Sequence, residues 1–257
     1  MLSILFEIKN NVAVITLNRP DKLNSFNREM ALLLQQYLDD CKGDAIRCVY
    51  ITGAGKAFSA GQDLAEVVDP QGPGMNKILS EHYNPIVTRI KALPKPVVAA
   101  INGVAAGAGA NIALACDIVV ATQSASFLQA FSKIGLIPDS GGTYTLPRLI
   151  GRQKATALMM LGEKVSATDA EKMGMIYKVF EDEHFAENAF NIAQFLANMP
   201  TKGLALTKQA LQASEQNSWE QQLAAEDAYQ QQAAATDDYA EGVNAFLNKR
   251  QPQFKGK

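Results

Sequence analysis

Apolar and polar positions follow two different periods in the first part of the chain. The stretches ILFEIK and VAVITL are rich in β-branched and apolar residues, which predicts two strands around a turn at Lys9-Asn10-Asn11. From about Asn27 to Asp40 the apolar residues recur at helical spacing, which predicts an amphipathic helix. The residues that share its apolar face are Met30, Leu33, Leu34, Tyr37 and Leu38.

Three further apolar runs, CVYIT, PVVAAIN and DIVVAT, predict buried strands between helical segments. The longest apolar run, Val97 to Ala121, contains Asn102, Asn111 and Asp117, so it predicts strand and helix in alternation and no membrane span. Strands and helices that alternate in this way favour an α/β fold with a mostly parallel or mixed sheet.

The composition changes after Met199-Pro200, where Ala, Gln and Glu become frequent. Three successive amphipathic segments follow, with no strand between them, and they predict three helices. We therefore divide the chain into a core of residues 1–199 and a C-terminal helical region of residues 200–257. The pattern leaves open whether these helices cover the protein's own sheet or pack on a neighbouring subunit. The single tryptophan, Trp219, is interpreted as a packing residue.

Composition and charge exclude several classes of function. The chain has 257 residues, of which 47% are hydrophobic, and a formal net charge of -2. Nucleic-acid binders normally carry a basic excess, so no such partner is expected. Three cysteines without CxxC spacing indicate reduced thiols and a cytosolic location. The two histidines are isolated from other ligand residues, so no metal site is expected.

Two glycine-containing segments directly follow predicted strands, where α/β folds bind ligands. They are AFSAGQDL, residues 57–64, and NGVAAGAGANIALACDI, residues 102–118. A helix that starts near Gly107 would have free N–H groups in its first turn, which can hold negative charge on an oxygen. For the second segment taken alone, tight packing of small residues between helix and sheet is the favoured explanation. GAGANI lacks the third glycine of a dinucleotide fingerprint.

A single acid, Asp139, lies in the segment GLIPDSGGTY between a proline and a run of small residues. From this segment alone, Asp139 either caps the helix that follows or performs the chemistry of a site.

Taken together, several segments resemble the crotonase superfamily, also called the enoyl-CoA hydratase/isomerase family. They are LNRPDKLNSF (17–26), FSAGQDL (58–64), NGVAAGAGANIALACDI (102–118), GLIPDSGGTYTLPRLIG (135–151), SATDAEKMGMIYKV (166–179) and EGVNAFLNKRQPQF (241–254). The resemblance covers essentially the whole chain. It implies a spiral of ββα units, a C-terminal helical region for trimerisation, often as a dimer of trimers, and an acyl-CoA substrate. It implies no separate cofactor, because CoA is part of the substrate.

The resemblance also implies an oxyanion hole formed by the backbone N–H groups of Gln62 and Ala108. Fixed backbone dipoles would stabilise the charge that builds on the thioester oxygen. The side chain of Gln62 has no part in this role.

The departures from the family pattern concern its acids. Hydratases of the family carry two glutamates, and their positions are occupied here by Asn111 and Phe131. Neither residue can activate water. The remaining acid, Asp139, stands at another catalytic position of the family and predicts an isomerase. Apolar neighbours (Phe131, Leu136 and Ile137) would raise its pKa, whereas a helix start at Gly141 would lower it. The sequence does not decide between these effects.

Within the family, the segments NGVAAGAGA, AFSKIGLIPDSGGT and FLNKRQPQFKGK resemble isomerases that act on ring-1,2-epoxyphenylacetyl-CoA in phenylacetate degradation. The implied product is 2-oxepin-2(3H)-ylideneacetyl-CoA. An isomerase that moves a 3-enoyl double bond to the 2-position is the alternative. Two other readings are a hydratase, disfavoured by Asn111 and Phe131, and an RNA-binding member without catalysis, opposed by the near-neutral charge.

The resemblance assigns further residues to the binding of CoA and substrate. They are Lys22, Leu23, Ala60, Gln62, Asp63, Leu64, Gly107, Phe131, Pro138, Phe246 and Lys249. Phe246 and Lys249 could be supplied to a neighbouring subunit, and ordinary surface charge is the simpler explanation for Lys22 and Lys249. The segment Val67 to Tyr83 is expected to form part of the acyl pocket, as a mobile loop that leads into a helix.

Overall fold

The computed structural model describes residues 2–257. Within this range the chain forms ten strands, which are β1 (Ile4–Lys9), β2 (Val12–Leu17), β3 (Cys48–Gly53), β4 (Ala57–Ser59), β5 (Val97–Ile101), β6 (Val104–Ala106), β7 (Ile118–Thr122), β8 (Ser126–Leu128), β9 (Lys164–Ser166) and β10 (Lys178–Phe180).

Twelve α-helices accompany these strands in the described part of the chain. They are α1 (Arg28–Asp40), α2 (Leu64–Val68), α3 (Gly74–Lys77), α4 (Asn84–Ala92), α5 (Ala108–Leu114), α6 (Gly142–Ile150), α7 (Arg152–Leu161), α8 (Ala167–Lys172), α9 (Phe185–Asn198), α10 (Thr201–Ser214), α11 (Trp219–Ala234) and α12 (Asp237–Leu247). Pro20–Lys22 and Ala130–Ile134 form 3₁₀ turns, and Ile78–Tyr83 forms a π-helical segment.

The strands build two sheets, and successive strand pairs divide between them. The larger sheet has the order β1-β2-β3-β5-β7-β10 and the smaller one has the order β4-β6-β8-β9. Each of the pairs β3/β4, β5/β6 and β7/β8 places its first strand in the larger sheet and its second in the smaller sheet. A helical segment then returns the chain to the next pair. This is the predicted spiral of ββα units, in a mixed α/β fold.

The inner strands of the larger sheet, β2, β3, β5 and β7, are buried on both faces, which explains their continuous apolar sequences. One face contributes Ala13, Ile15 and Leu17 to the main core, together with α1, α4 and α5. The alternate residues of the same strand, Val12 and Val14, pack on the opposite face. That second face is covered by α9 through Phe185, Ala189, Ala193 and Ala197. Alternate side chains of each strand therefore pack into two separate hydrophobic cores.

The predictions for the first 40 residues are confirmed. β1 and β2 pair antiparallel, and the turn residues Asn10 and Asn11 have φ angles of 51° and 62°. Asparagine tolerates this left-handed conformation, which a two-residue hairpin turn requires. Helix α1 begins after Asn27, whose side chain accepts a hydrogen bond from the N–H of Met30.

The segment from Val67 to Tyr83 is more helical than predicted. Gly74–Lys77, the π-helical segment Ile78–Tyr83 and Asn84–Ala92 follow one another without a break, so only residues 69–73 separate α2 from this helical run. Pro73 does not prevent this helix, because it immediately precedes the first helical turn, where proline is tolerated. A π-helical segment inside a helix often lies at a functional site.

The C-terminal region contains the three predicted helices, α10, α11 and α12. In the single chain these helices expose large apolar side chains, including Trp219 at 73% and Phe246 at 83%. The interpretation of Trp219 as a packing residue is therefore wrong for the isolated subunit, because no element of the same chain covers it. The division into residues 1–199 and 200–257 stays a prediction.

The chain end is tied back to the core. Both carboxylate oxygens of Asp238 accept backbone N–H groups, from Lys255 at 2.6 Å and Gly256 at 2.8 Å. Arg47 donates to the carbonyl oxygen of Phe254 at 2.9 Å. Within residues 2–257 no helix is both long enough and apolar enough to span a bilayer.

Candidate active site

A cavity of about 440 Å³ opens between the two glycine-containing segments and the loop that carries Asp139. Seven of the predicted site residues line it together: Ala60, Gln62, Leu64, Gly107, Ala108, Phe131 and Asp139. Among the described residues that line this cavity, Asp139 is the only carboxylate. The structure thus brings together, in one enclosed space, residues that lie as far apart in sequence as 60 and 139.

Two backbone N–H groups on the cavity wall are available for a ligand. The N–H of Ala108 belongs to the first residue of α5, so no helical carbonyl precedes it as an acceptor. Neither this N–H nor that of Gln62 donates a hydrogen bond to another described residue. Unpaired N–H donors on a cavity wall can stabilise a negatively charged oxygen.

Glycine brings these two backbone segments close together. Gly61 has a φ of +89°, and a Cβ built there would lie 2.8 Å from the carbonyl oxygen of Ala106 and 3.3 Å from the nitrogen of Ala108. A side chain at position 61 would therefore push the two segments apart. Gly61 is also anchored, because its carbonyl accepts the N–H of Phe26 at 2.7 Å.

Asp139 does not cap the helix that follows it. The N-terminal cap of α6 is Gly141, and no side chain bonds to the first turn of that helix. The carboxylate of Asp139 instead accepts a hydrogen bond from Oγ of Ser140, with 2.8 Å between Oγ and Oδ1. Ser140 and Gly141 have φ angles of 52° and 74°, so the chain turns sharply after Asp139. Of the two readings of this acid, the structure rejects the helix cap.

Burial decides the pKa of Asp139. Removal of the carboxylate from water raises its pKa above the ordinary value, while the hydrogen bond from Ser140 acts in the opposite direction. Phe131 is 6% exposed and lines the same cavity as Asp139. Ile137 is 80% exposed and Leu136 is 40% exposed, so the prediction that both would shield the acid is wrong for Ile137.

The two positions where hydratases keep glutamates hold no substitute acid. Phe131 lines the cavity with its ring, and a Cβ built on Gly107 would lie 3.8 Å from that ring. Asn111 is 1% exposed and lies behind the cavity wall, where its side chain donates to the carbonyl oxygen of Asp139. The site therefore offers one carboxylate and no pair that could hold a water molecule between two acids.

The side chain of Gln62 is engaged in the wall of the cavity. Its Oε1 accepts a hydrogen bond from the hydroxyl of Tyr83, and its Nε2 donates to Oε2 of Glu66 at 3.0 Å. Burial raises the pKa of Tyr83 well above its ordinary value, and the negative charge of Asp139 raises it further. Tyr83 therefore stays a neutral hydrogen-bond donor. The prediction that the Gln62 side chain has no part in the oxyanion hole did not include this contact with Tyr83.

The predicted CoA-binding residues near Lys22 lie at the edge of this cavity rather than in its wall. The carbonyl oxygen of Leu23 accepts the N–H of Ala60 at 2.9 Å, which places the two segments side by side. Lys22 is exposed at the end of a 3₁₀ turn. The carboxylate of Asp63 is already used, because it pairs with Arg19 at 2.8 Å and caps α2 through the N–H of Ala65.

Three other predicted residues do not line the cavity in the single chain. Pro138 is half-buried next to Asp139. Phe246 lines a separate cavity of about 420 Å³ with Tyr239 and Phe254. Lys249 is exposed beyond the end of α12 and has a φ of 51°. The assignment of Phe246 and Lys249 to CoA binding stays a prediction.

Several lining residues were not predicted individually. They are Val67, Met75, Ile78, Tyr83, Ala130, Lys133, Ile134 and Leu136. The first four come from the segment of residues 67–83, which was expected to form part of the wall. Three of the others, Ala130, Lys133 and Ile134, belong to the 3₁₀ turn that contains Phe131. Apart from Phe131, nothing in the sequence indicated that this turn lines the cavity.

A further cavity of about 470 Å³ lies at the base of α10, and it contains Asp117 and Lys208. The two side chains form a salt bridge, with 2.8 Å between Nζ of Lys208 and Oδ2 of Asp117. Lys208 also donates to the carbonyl oxygen of Ile90. Among residues 2–257, no group of three or more His, Cys, Asp or Glu side chains is placed to hold a metal ion.

Comparison with known proteins agrees with this geometry. Residues 7–257 match the family model described as enoyl-CoA hydratase/isomerase. The chain is 51% identical to the 1,2-epoxyphenylacetyl-CoA isomerase of Escherichia coli K12, over 99% of this chain and 98% of that protein. It is 34% identical to the 2,3-dehydroadipyl-CoA hydratase of the same organism, over the full length of both chains.

A solved structure shows the same fold. The crystal structure of an enoyl-CoA hydratase from Bacillus anthracis superposes with a TM-score of 0.92, at 34% sequence identity, over 99% of this chain and 100% of that one. The spiral of ββα units is therefore the crotonase fold, and the chain belongs to the enoyl-CoA hydratase/isomerase family.

Proposed function

We propose that this protein is an acyl-CoA isomerase in which Asp139 moves a proton within the substrate. The observation that carries the proposal is the cavity in which Asp139 is the only carboxylate among the described lining residues, alongside the N–H groups of Gln62 and Ala108. One acid and two backbone donors suffice to remove a proton from carbon and return it to another carbon. They do not suffice to activate a water molecule between two acids.

The proposed reaction conserves every atom of the substrate. With a 3-enoyl-CoA, the carboxylate of Asp139 takes a proton from C2, the electron pair of that C–H bond forms a C1=C2 double bond, and the π electrons of the carbonyl move to the thioester oxygen. Negative charge on the thioester oxygen is stabilised by the N–H groups of Gln62 and Ala108. The acid then returns the proton to C4, which gives the 2-enoyl-CoA and regenerates the carboxylate. When C4 is protonated, the carbonyl re-forms, the C1=C2 electrons shift to C2=C3, and the electrons of the old C3=C4 double bond form the new C4–H bond.

The proposed substrate is ring-1,2-epoxyphenylacetyl-CoA, with 2-oxepin-2(3H)-ylideneacetyl-CoA as the product in phenylacetate degradation. Support comes from the 51% identity to a protein named 1,2-epoxyphenylacetyl-CoA isomerase. Substrate and product are isomers, so no water is added. The CH₂ group beside the thioester becomes a =CH group and a ring carbon gains a hydrogen as the ring bond under the epoxide opens, so the conversion includes a proton transfer. The 3-enoyl activity is the second candidate, because the same acid and donors serve it and the cavity wall is otherwise largely apolar.

We further propose that the protein assembles as a homotrimer or a dimer of trimers. The exposed apolar side chains on α11 and α12, such as Trp219, Phe246 and Leu247, support this assembly because a single chain leaves them in water. In the assembly, Phe246 and Lys249 would contribute to CoA binding.

The proposed function is tested by offering the purified protein three substrates: the epoxide, a 3-enoyl-CoA and a 2-enoyl-CoA. We expect isomerisation of the first two, and no 3-hydroxyacyl-CoA from the third. Formation of a 3-hydroxyacyl-CoA at a rate comparable to the isomerisation would restore the hydratase reading.

A further inference from the structure

Behind the cavity wall, two buried amides form a chain of hydrogen bonds that ends on the backbone of Asp139. Nε2 of Gln129 donates to Oδ1 of Asn111 at 2.8 Å, and Nδ2 of Asn111 donates to the carbonyl oxygen of Asp139 at 2.9 Å. Asn111 is 1% exposed and Gln129 is 4% exposed. Neither side chain lines the cavity.

The chain of amides holds the turn that aims Asp139. The carbonyl oxygen of Asp139 accepts a second hydrogen bond from the N–H of Gly142, at 2.8 Å. A Cβ built on Gly142 would overlap the amide of Asn111, so the start of α6 rests directly on this side chain. Two left-handed residues, Ser140 and Gly141, lie between the two attachment points. The direction of the Asp139 side chain therefore depends on a turn that Asn111 clamps.

The carbonyl oxygen of Asp139 fixes the orientation of the Asn111 amide, because a carbonyl can only accept a hydrogen bond. The NH₂ group of Asn111 therefore faces Asp139, and its oxygen faces Gln129. Gln129 supports this orientation by donating its Nε2 to that oxygen.

This arrangement has a cost in stability. Oε1 of Gln129 is buried and has no hydrogen-bond partner among the described residues. An unpaired buried acceptor destabilises the folded state, and two apolar side chains of similar shape in place of buried polar partners can be neutral or stabilising. A buried polar chain that fold stability alone does not favour indicates a functional role.

We propose that Asn111 and Gln129 are positioning residues that hold the turn of Asp139 so that its carboxylate faces the N–H groups of Gln62 and Ala108. The proposal rests on the proposed function, since it assumes that Asp139 transfers the proton. Asn111, which occupies the position of a glutamate in hydratases, thus holds Asp139 in place.

The test uses apolar variants of similar size, Asn111→Leu and Gln129→Met, and the double variant. The matched control is Gln212→Met, because Gln212 also donates its amide to a backbone carbonyl, that of Lys91 at 2.9 Å, but far from the cavity. For each protein we would measure kcat and KM with a 3-enoyl-CoA, the thermal unfolding midpoint, and the pKa of Asp139 by carbonyl NMR.

We expect Asn111→Leu to lower kcat by about 100-fold, as a misplaced catalytic group does, with KM changed by less than about threefold because the cavity lining is intact. The double variant is expected to unfold no earlier than wild type and yet to keep the loss of kcat. In both, the pKa of Asp139 should fall towards its ordinary value, because a loosened turn admits water to the carboxylate. Gln212→Met should retain the wild-type kcat.

Wild-type kcat and an unchanged Asp139 pKa in Asn111→Leu would overturn the proposal. So would a double variant that regains kcat together with stability, because the amides would then act on the fold alone. If the wild type shows no isomerase activity, the proposed function fails, and the pKa of Asp139 in the variants still decides whether the amides position the acid.

Discussion

The hydroxyl of Tyr83 donates a hydrogen bond to Oε1 of Gln62 across 2.7 Å, in the wall of the candidate active site. Tyr83 is fully buried at the end of the π-helical segment, and Gln62 supplies one of the two N–H groups of the proposed oxyanion hole. The side chain and the backbone of Gln62 therefore serve different purposes. The side chain accepts the hydrogen bond of a buried hydroxyl, and the backbone N–H belongs to the proposed oxyanion hole.

Gln62→Ala should separate these purposes. We expect kcat to stay within about tenfold of wild type, because backbone donors act regardless of the side chain. Stability should fall by about 1–3 kcal/mol, because the Tyr83 hydroxyl loses its partner while buried. Adding Tyr83→Phe should recover part of that loss, which chemical denaturation in a double-mutant cycle would measure. A kcat as low as that of an Asp139 variant would contradict the assignment.

Gly61→Ala should damage the proposed oxyanion hole itself. Its Cβ would meet the carbonyl of Ala106 at 2.8 Å and force apart the segments that carry Gln62 and Ala108. Loss of one oxyanion donor lowers kcat by about 10²–10³-fold, and we expect an effect of that order in steady-state kinetics.

The control for Gly61→Ala is Gly174→Ala. Gly174 has a φ of +78°, but a Cβ there would lie 3.7 Å from its nearest neighbour, the carbonyl of Leu149. Both variants strain a left-handed residue, and only the first disturbs the site. Equal losses of kcat in the two variants would show that backbone strain, and not the oxyanion geometry, is responsible.

Asp139→Asn should stabilise the fold at neutral pH. Burial raises the pKa of Asp139, so the folded state binds the proton more tightly than the unfolded chain does. The stability that protonation contributes is complete below the ordinary carboxyl pKa of about 3.9 and is lost as the pH rises through the higher folded-state pKa. A neutral asparagine avoids this loss, so the gain over wild type should grow with pH across that window.

Unfolding free energies measured at several pH values would check this. Asp182→Asn is the control with the opposite sign, because hydrogen bonds from Thr122 and Ser124 lower the pKa of Asp182. Asp182→Asn should be less stable than wild type at neutral pH, and the difference should shrink as the pH falls. A destabilised Asp139→Asn at neutral pH would mean that the charged carboxylate is favourable where it stands.

Removal of residues 237–257 should disturb the proposed trimer and weaken the binding of CoA esters. The point variant Phe246→Asp tests the same surface in the full chain, since it places a charge on a side chain that is 83% exposed in the single subunit. Leu5→Asp, at an apolar residue that is 46% exposed on β1, is the control. Light scattering should show smaller particles for Phe246→Asp alone. An unchanged trimer with normal KM after truncation would contradict the proposed role of this region.

The sequence predicted most of the elements because their signals are local. The period of two in β2, the apolar face of α1 and the composition after Pro200 each depend on neighbours within a few residues. The family resemblance supplied Gln62, Ala108 and Asp139, which the fold then places around one cavity.

What the sequence did not predict depends on contacts between distant segments. The side chain of Asn111 contacts Gln129 and Asp139, which lie 18 and 28 positions away. The sequence showed that position 111 carries no acid, but it did not show the contact with Asp139. The role of Tyr83 requires the π-helical segment to place its ring against Gln62. Ile137 is 80% exposed, which its apolar character does not predict.

The most direct test of the account is the kcat of Asp139→Asn with a 3-enoyl-CoA and with the epoxide, measured beside wild type in protein of confirmed fold. Asparagine keeps the shape of the side chain and cannot accept the proton. A positioned acid–base group contributes about 10²–10⁴-fold, so the account predicts a loss of that size with both substrates and little change in KM. A variant that retained activity within tenfold of wild type would contradict the assignment of Asp139 as the residue that moves the proton.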